Sequence, residues 1–171
     1  MANLQNRMLR AAKLDVNLYE EVEADTTATG QAMLVVVLSS VAAGIASIGE
    51  TGIGGIVAGT IAALIGWFIW AFLTYFIGTR LLPESQTSAD LGELLRTIGF
   101  SSSPGLIRIV GIIPGLHLLV SLAAMIWMLI AMVIAVRQAL DYTSTFRAVG
   151  VCFIGFIVYV LFFALLMSLF R

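Results

Sequence analysis

The sequence contains few charged residues, one cysteine and one histidine, and each shortage excludes a class of protein. Lysine, arginine, aspartate and glutamate make up 11% of its 171 residues, and the net charge is −1. This balance produces no field of one sign, so nucleic acid and polyanionic substrates are not expected partners. Cys152 and His117 stand alone, without the paired spacings of zinc ligands. We therefore predict neither an internal disulfide nor a metal site.

Apolar residues are abundant instead: 60% of the chain is hydrophobic and the mean hydropathy is +1.04. Four runs without Lys, Arg, Asp or Glu are long enough to cross a bilayer as helices. They are residues 31–48, 53–78, 116–136 and 149–170. Because these runs are continuously apolar, without the alternation of a barrel strand, we predict an all-α polytopic membrane protein built as a helix bundle.

A fifth run, residues 94–113, is less uniform, and the flanking charges indicate whether it crosses. If it crosses and the amino terminus is cytoplasmic, most basic residues lie on the cytoplasmic side, namely Arg7, Arg10, Lys13, Arg80, Arg96, Arg137 and Arg147. If it is a loop, Arg137 and Arg147 move outside, against the usual bias of short loops. We therefore predict five spans with the carboxyl terminus outside. Residues 1–30 form a cytoplasmic segment, and residues 31–171 form the membrane domain.

The segment before the first span carries a helical pattern. Leu14, Leu18 and Val22 recur every four residues, which predicts a short amphipathic helix lying on the bundle or on the membrane surface. The basic residues before it suit anionic lipid headgroups, and these are Arg7, Arg10 and Lys13. An ordinary solvated charged face is the alternative interpretation of this segment.

Catalytic motifs are missing from the sequence. It contains no phosphate-binding loop, GxSxG elbow or dinucleotide fingerprint. In the predicted topology His117 lies at the outer rim, about 30 Å from Asp90 and Glu93 at the opposite face, which is too far for a catalytic triad. Asp90 and Glu93 instead predict a capping box that starts a helix near Leu91. We therefore expect no catalytic residues and no enzymatic activity.

Two features could contact a cofactor, and each has a simpler explanation. His117 could ligate haem or a pigment, but a hydrogen-bonded histidine at the membrane interface accounts for it. The aromatic cluster in residues 66–78 could form a groove for quinone or lipid, but an interfacial belt with core packing accounts for it as well. We therefore predict no bound cofactor.

Arg108 is the least expected residue inside an apolar run. Its Cα lies about 7–8 Å from the outer end of the fifth run, where an unpaired charge is costly. It either snorkels to the outer headgroups or pairs with Glu50, the one acid predicted on that side. Pro104 kinks or breaks the same span, and nearby hydroxyls can bond to the backbone groups that it frees. These hydroxyls belong to Ser101, Ser102 and Ser103.

Small residues line one face of the second apolar run. Gly55 and Gly59 form a GxxxG step, and similar spacing continues through Ala63 and Gly66. Small side chains allow another helix to approach closely. The helix that uses this face lies either in the same chain or in a second copy, and the motif by itself does not separate the two.

Three stretches carry a family resemblance. They are LLRTIGFSSSPGLI at residues 94–107, IIPGLHLLVSLAAMIWMLIAMVIAVRQAL at 112–140 and TSTFRAVGVCFIG at 143–155. The first resembles the arginine, glycine-aromatic and proline pattern that leads into the third span of Yip-domain proteins. The others resemble the run toward the last loop of those proteins and the start of their fifth span. Over residues 31–170 the chain resembles this family of five-span membrane proteins, named for interaction with Ypt and Rab GTPases.

The resemblance implies a membrane bundle more directly than it implies a partner. Eukaryotic members are implicated in vesicle transport, but DLGELL at residues 90–95 is not their acidic Asp-Leu-aromatic-Gly-Pro type of motif, so Rab binding is not implied. The short amino-terminal segment looks like that of prokaryotic members, which implies the cytoplasmic membrane.

We expect a non-enzymatic scaffold that contacts lipids and other membrane proteins, or itself. One alternative is an accessory subunit of a respiratory or photosynthetic complex that guides quinone. Another is a small transporter that uses the broken third span.

Overall fold

A computed structural model describes residues 3–169, which form helices joined by short turns, with no strand among them. The α-helices are α1 (Leu4–Ala12), α2 (Val16–Ala24), α3 (Thr29–Ala46), α4 (Ile48–Phe76), α5 (Leu91–Ser101), α6 (His117–Ala139) and α7 (Thr145–Leu169). A π-helical turn, Ile77–Leu81, follows α4, and a 3-10 helix, Ser103–Ile112, follows α5. Residues 1, 2, 170 and 171 lie outside the described part, and with them the last residue of the predicted final span and Arg171.

Three stretches of helix in the described part are long and apolar enough to cross a membrane. They cover Thr26–Ala46, Ile48–Leu81 and His117–Ala139, and they overlap the predicted runs 31–48, 53–78 and 116–136. The helix α7, which overlaps the fourth run, is also apolar. The predicted all-α class is therefore confirmed, while the count of five spans stays a prediction.

The predicted span over residues 94–113 is broken in the middle. The α-helix α5 ends at Ser101, and the chain continues as a 3-10 helix from Ser103. Pro104 lacks an amide hydrogen and its ring clashes with a preceding carbonyl, so the α-helical hydrogen-bond pattern cannot continue through it. The predicted break at Ser103–Pro104 is confirmed.

The helix α5 begins where the sequence predicts and lies at the centre of the bundle. The Asp90 carboxylate accepts the Glu93 amide at 2.8 Å, and the Glu93 carboxylate accepts the Asp90 amide at 2.8 Å. This is the predicted capping box, and α5 starts at Leu91. Between residues 94 and 101 only Leu95 escapes burial, so α5 is enclosed by its neighbours.

Turns connect the helices at two opposite ends of the bundle. At one end the chain turns at Gly52, with φ 63°, and again at Gly115, with φ 86°. Glycine adopts this backbone conformation without steric cost. At the other end the Tyr142 hydroxyl lies 2.9 Å from the Gly78 carbonyl oxygen and 2.6 Å from that of Leu82, and its one proton joins the α6–α7 turn to the π-helical turn after α4. We call these the Gly52 end and the Tyr142 end.

The amino-terminal segment forms two helices where one was expected. Leu14, one of the three residues of the predicted stripe, lies between α1 and α2 with φ 61°. Leu18 and Val22, the other two, are fully buried in α2, together with Tyr19. The segment therefore buries these three side chains against the bundle, while Leu9 and Val16 stay exposed.

Arg7 does not face lipid headgroups, so that prediction was wrong for Arg7, whereas for the partly exposed Arg10 it stays a prediction. Arg7 is 4% exposed, and it donates to the carboxylates of Glu21, at 2.9 Å, and Asp25, at 2.7 Å. Arg10 pairs with Glu21 at 2.5 Å. These acids lie within and just after α2, and they neutralise Arg7 inside the fold and Arg10 at its surface. Lys13 remains exposed.

Candidate functional site

The last carbonyl groups of α2 receive hydrogen bonds from Arg96 of α5. Because α2 ends at Ala24, the carbonyls of Val22 and Glu23 have no amide partner within the helix. Arg96 Nε lies 2.9 Å from Val22 O and 3.1 Å from Glu23 O, and Arg96 Nη2 also donates to Glu23 O. Arg96 is 5% exposed, and its positive charge suits the negative end of the α2 dipole. This contact docks α2 on the membrane domain.

The end of α1 is held in a similar way by α6. Trp127 Nε1 donates to Ala12 O at 2.8 Å. Trp127 precedes Ala139, the end of α6, by twelve residues, which is about 18 Å along the helix axis. The segment α1 therefore reaches about halfway along α6. Gln138 adds a contact to Glu20 of α2 near the Tyr142 end.

Glu23 places a carboxyl group at this docking contact. Its Oε2 is buried and has no hydrogen-bond partner among the described residues. Burial raises the pKa of Glu23 to about 8, and the like charges of Asp141, Glu93 and Glu20 add to the rise, whereas Arg96 opposes it. The carboxyl group therefore holds its proton near neutral pH while α2 is docked.

A cavity of about 270 Å³ lies inside the bundle beside the break between α5 and the 3-10 helix. Its wall is mostly apolar, with Trp67 and Trp70 of α4 on one side. Hydroxyl and charged side chains reach it from α3, the turn after α5, the 3-10 helix and α7. These side chains are Ser39, Ser40, Ser102, Arg108 and Tyr159.

The predicted polar residues near the break divide into two groups. Ser101 Oγ donates to the Ile98 carbonyl at 2.7 Å, and Ser103 Oγ donates to the Phe100 carbonyl at 2.7 Å. These two hydroxyls therefore bond to the last turn of α5, as the sequence suggested. Ser102 instead lines the cavity.

Arg108 and Glu50 do not form the predicted ion pair. Arg108 makes no hydrogen bond or ion pair with any described residue. Glu50 lines a different cavity, of about 380 Å³, at the Gly52 end, where His117 also lies. Arg108 does line a third cavity, of about 330 Å³, together with His117, and this cavity extends in the direction that snorkelling requires. The alternative of a snorkelling arginine therefore stays open.

The small residues of α4 face away from most of the chain. A Cβ added at Gly59 would meet no atom within 4 Å, and one added at Gly55 would meet only Thr51 of the same helix. Gly66 lies deeper, where an added Cβ would be 3.8 Å from the Tyr159 hydroxyl, and Ala63 lines the 270 Å³ cavity. Packing within the chain therefore explains Gly66 and Ala63, and contact with Thr51 explains Gly55, but nothing within 4 Å explains Gly59.

The aromatic side chains of residues 66–78 point in two directions, some into the core and others outward. Trp67 Nε1 donates to the Leu95 carbonyl at 3.0 Å, and the Trp70 ring packs edge-on against Tyr159 with centroids 6.1 Å apart. Phe72 is about half exposed and lines an apolar hollow of about 210 Å³ at the surface of α4 and α7. The cluster thus combines core packing with an outward apolar face.

The histidine, the cysteine and the capping-box acids lie apart in the structure. His117 begins α6 at the Gly52 end, whereas Asp90 and Glu93 begin α5 and bond to each other. Cys152 lies in α7, partly buried. Across the described residues no group of three His, Cys, Asp or Glu side chains is placed to hold a metal ion.

Sequence patterns missed the residues that dock the amino-terminal segment. The charge pattern placed Arg96 among the cytoplasmic basic residues, although its side chain is nearly fully buried. Its position inside an apolar, glycine-containing helix was the available signal, since a charge in such surroundings needs a partner. Trp127 gave no local signal of docking, because it sits in a run that is apolar throughout.

Comparison with known proteins bears on the whole chain. The family model described as the Yip1 domain matches residues 18–165, from within α2 to within α7. No curated protein and no solved structure matches the chain. The apolar helices fit an integral membrane protein, as the family does. From a match over most of its length and from this architecture, the chain belongs to the Yip1 domain family.

Proposed function

We propose that this protein is a non-enzymatic membrane scaffold that acts by packing against a membrane protein partner within the bilayer. The observation that carries the proposal is the uncovered small-residue face of α4. In the most apolar part of the α4 span, 6% of the residues are buried, against 33% in the α3 span and 22% in α6. Gly59 leaves open space on this face. Small residues exposed in this way permit close approach of a helix from another protein.

The proposed topology has five spans, with the amino terminus in the cytoplasm, in a prokaryotic cytoplasmic membrane. The bias of basic residues supports it. The third crossing would combine α5 and the 3-10 helix, with 11 and 10 residues. At about 1.5 Å and about 2.0 Å per residue these give about 36 Å of path, which is enough for a core of about 30 Å.

Cysteine cross-linking in the native membrane tests the scaffold proposal. With Cys152 replaced by alanine, Gly59→Cys places a single thiol on the small-residue face. Ile61→Cys is the matched control, because Ile61 is also exposed but lies about 200° around the helix from Gly59. We expect an adduct from Gly59→Cys and little from Ile61→Cys. Gly59→Leu should weaken the same association, because it blocks close approach.

The mass of the adduct identifies the partner. An adduct at twice the mass of the chain indicates a homodimer. An adduct of another mass, together with co-purification at fixed stoichiometry, indicates an accessory subunit of a larger complex. If Gly59→Cys gives no more adduct than Ile61→Cys, the small-residue face is not an interface and the proposal fails.

A further inference from the structure

Arg108 is a charged group without a partner in the described structure. It makes no hydrogen bond or ion pair with any described residue. It also belongs to a 3-10 helix that packs against α3 and α6, and its side chain is partly buried there. An arginine in this position is costly unless something neutralises it. The residues around Arg108 therefore decide what can neutralise its charge.

Arg108 stands where two cavities meet. It lines the internal cavity of about 270 Å³ and also the cavity of about 330 Å³ on its other side. The second cavity shares Ser47 and His117 with the cavity of about 380 Å³ that includes Glu50 at the Gly52 end. The three cavities thus follow one another from the Gly52 end toward the middle of the bundle, and Arg108 separates the innermost one from the rest.

The innermost cavity offers hydrogen-bond donors and contains no acid. No aspartate or glutamate lines it. Ser39 is 4% exposed, lines the cavity and makes no side-chain hydrogen bond with a described residue. The Ser102 side chain also lines the cavity, and it makes no hydrogen bond with a described residue. Trp70 Nε1, a donor of the same wall, is buried and has no partner among the described residues. Buried polar groups are normally satisfied, so this donor beside an unpaired guanidinium and two unbonded hydroxyls indicates a missing acceptor.

We propose that this cavity binds an oxyanion, a carboxylate or phosphate group, against Arg108, Ser39 and Ser102. The guanidinium offers several N–H donors in a geometry that matches both groups. Each serine hydroxyl can donate one further hydrogen bond. The bound charge offsets the cost of the partly buried arginine, which pairs with no described acid.

The size of the cavity limits the ligand. At about 270 Å³ it is slightly smaller than the pockets of about 300–1,000 Å³ that hold drug-sized ligands. It therefore takes a small oxyanion or the charged head of an amphiphile, and not a whole lipid. The apolar remainder of the wall, including Met128 and Val36, suits the first carbon atoms of a chain attached to that head.

Native mass spectrometry of the full chain tests this site. The protein is released from phosphatidylcholine nanodiscs that contain or lack phosphatidic acid, and in separate samples inorganic phosphate or acetate is added. We expect retained phosphatidic acid, phosphate or acetate in the native protein. Retention of phosphatidic acid alone identifies a lipid headgroup, and retention of phosphate or acetate identifies a free oxyanion. Both results support the site, and retention of none of the three overturns it.

Three variants separate the site from general charge effects. Arg108→Gln should weaken retention about tenfold or more, the effect of losing a charge-assisted hydrogen bond. Arg80→Gln is the control, because Arg80 is also an unpaired arginine in the described structure but is exposed at the Tyr142 end. Ala63→Leu should block the cavity from α4 without changing any charge. Equal retention by native protein and by folded Arg108→Gln or Ala63→Leu would refute the proposal.

Discussion

Replacing Arg96 by leucine tests whether α2 is held by its carbonyl contacts. In the native protein the Arg96 guanidinium donates to the carbonyls of Val22 and Glu23, with Nε 2.9 Å from Val22 O. Leucine fills part of the same space but offers no donor. Both carbonyls then lie against the bundle without a partner, because α2 ends before any amide can reach them.

The size of the effect follows from the two acceptors. A hydrogen bond from a charged donor contributes about 1.5–3 kcal/mol, so two acceptors give about 3 kcal/mol as a lower estimate. The carbonyls can regain water only if α2 leaves the bundle. The loss therefore appears as easier detachment of the segment and not as global unfolding. A loss of about 3 kcal/mol raises the population of the detached state about a hundredfold.

Hydrogen exchange of the backbone amides of α2 measures that population directly. Arg80→Leu serves as the matched control, because Arg80 is exposed and unpaired in the described structure. We expect the amides of Leu18 and Val22 to lose about a hundredfold of protection in Arg96→Leu and to be unchanged in Arg80→Leu. Amides in the middle of α3 should keep their protection in both variants.

Two outcomes would refute this reasoning. If Arg96→Leu left the exchange of α2 at the native rate, the carbonyl contacts would contribute nothing to docking. If α3 and α6 lost protection to the same extent as α2, Arg96 would support the whole bundle and not the docking of one segment.

Two further predictions concern the same region. The pKa of Glu23, raised to about 8 in the folded protein from about 4.5, means that the folded state keeps a proton that the detached segment releases. Docking stability should therefore fall as pH rises from about 5 to about 8, and unfolding temperatures of native protein and Glu23→Gln should show this slope only in the native protein. At Gly99 an added Cβ would lie 2.7 Å from the Ala32 Cβ and 3.1 Å from its carbonyl oxygen, so Gly99→Ala should lower unfolding stability by about 1–3 kcal/mol. Gly30→Ala, with open space around the added Cβ, should be neutral or slightly stabilising, and equal melting of the two variants would contradict this contact.

The elements that sequence patterns located correctly depend on short-range chemistry. The capping box at Asp90 and Glu93 closes within three residues, and Pro104 breaks its helix through its own ring. The long apolar runs predicted helices because no buried backbone in such a run can leave its polar groups unpaired. For these features the determining atoms are neighbours in the chain.

The predictions that failed or stayed incomplete involve partners from distant parts of the chain. Arg7 and Arg10 suited lipid headgroups in the sequence, but α2 folds back and supplies their carboxylates. The Arg108–Glu50 pair, the alternative to a snorkelling arginine, needed side chains of the 3-10 helix and of α4 to meet, and they line different cavities. Neither outcome can be predicted from the local sequence, because the charge of a residue does not specify which partner lies nearest in the fold.

The sequence by itself therefore determined the class of the protein, the positions of its apolar helices and the break in the third predicted span. Hydrophobic burial and backbone hydrogen bonding act along each segment, so they can be predicted segment by segment. Only the tertiary structure decided that Arg96 docks α2 across 74 residues, that Trp127 holds α1 across 115, and that Gly59 is left uncovered. These depend on which helix faces lie together, and many arrangements of the same apolar helices satisfy the local pattern equally well.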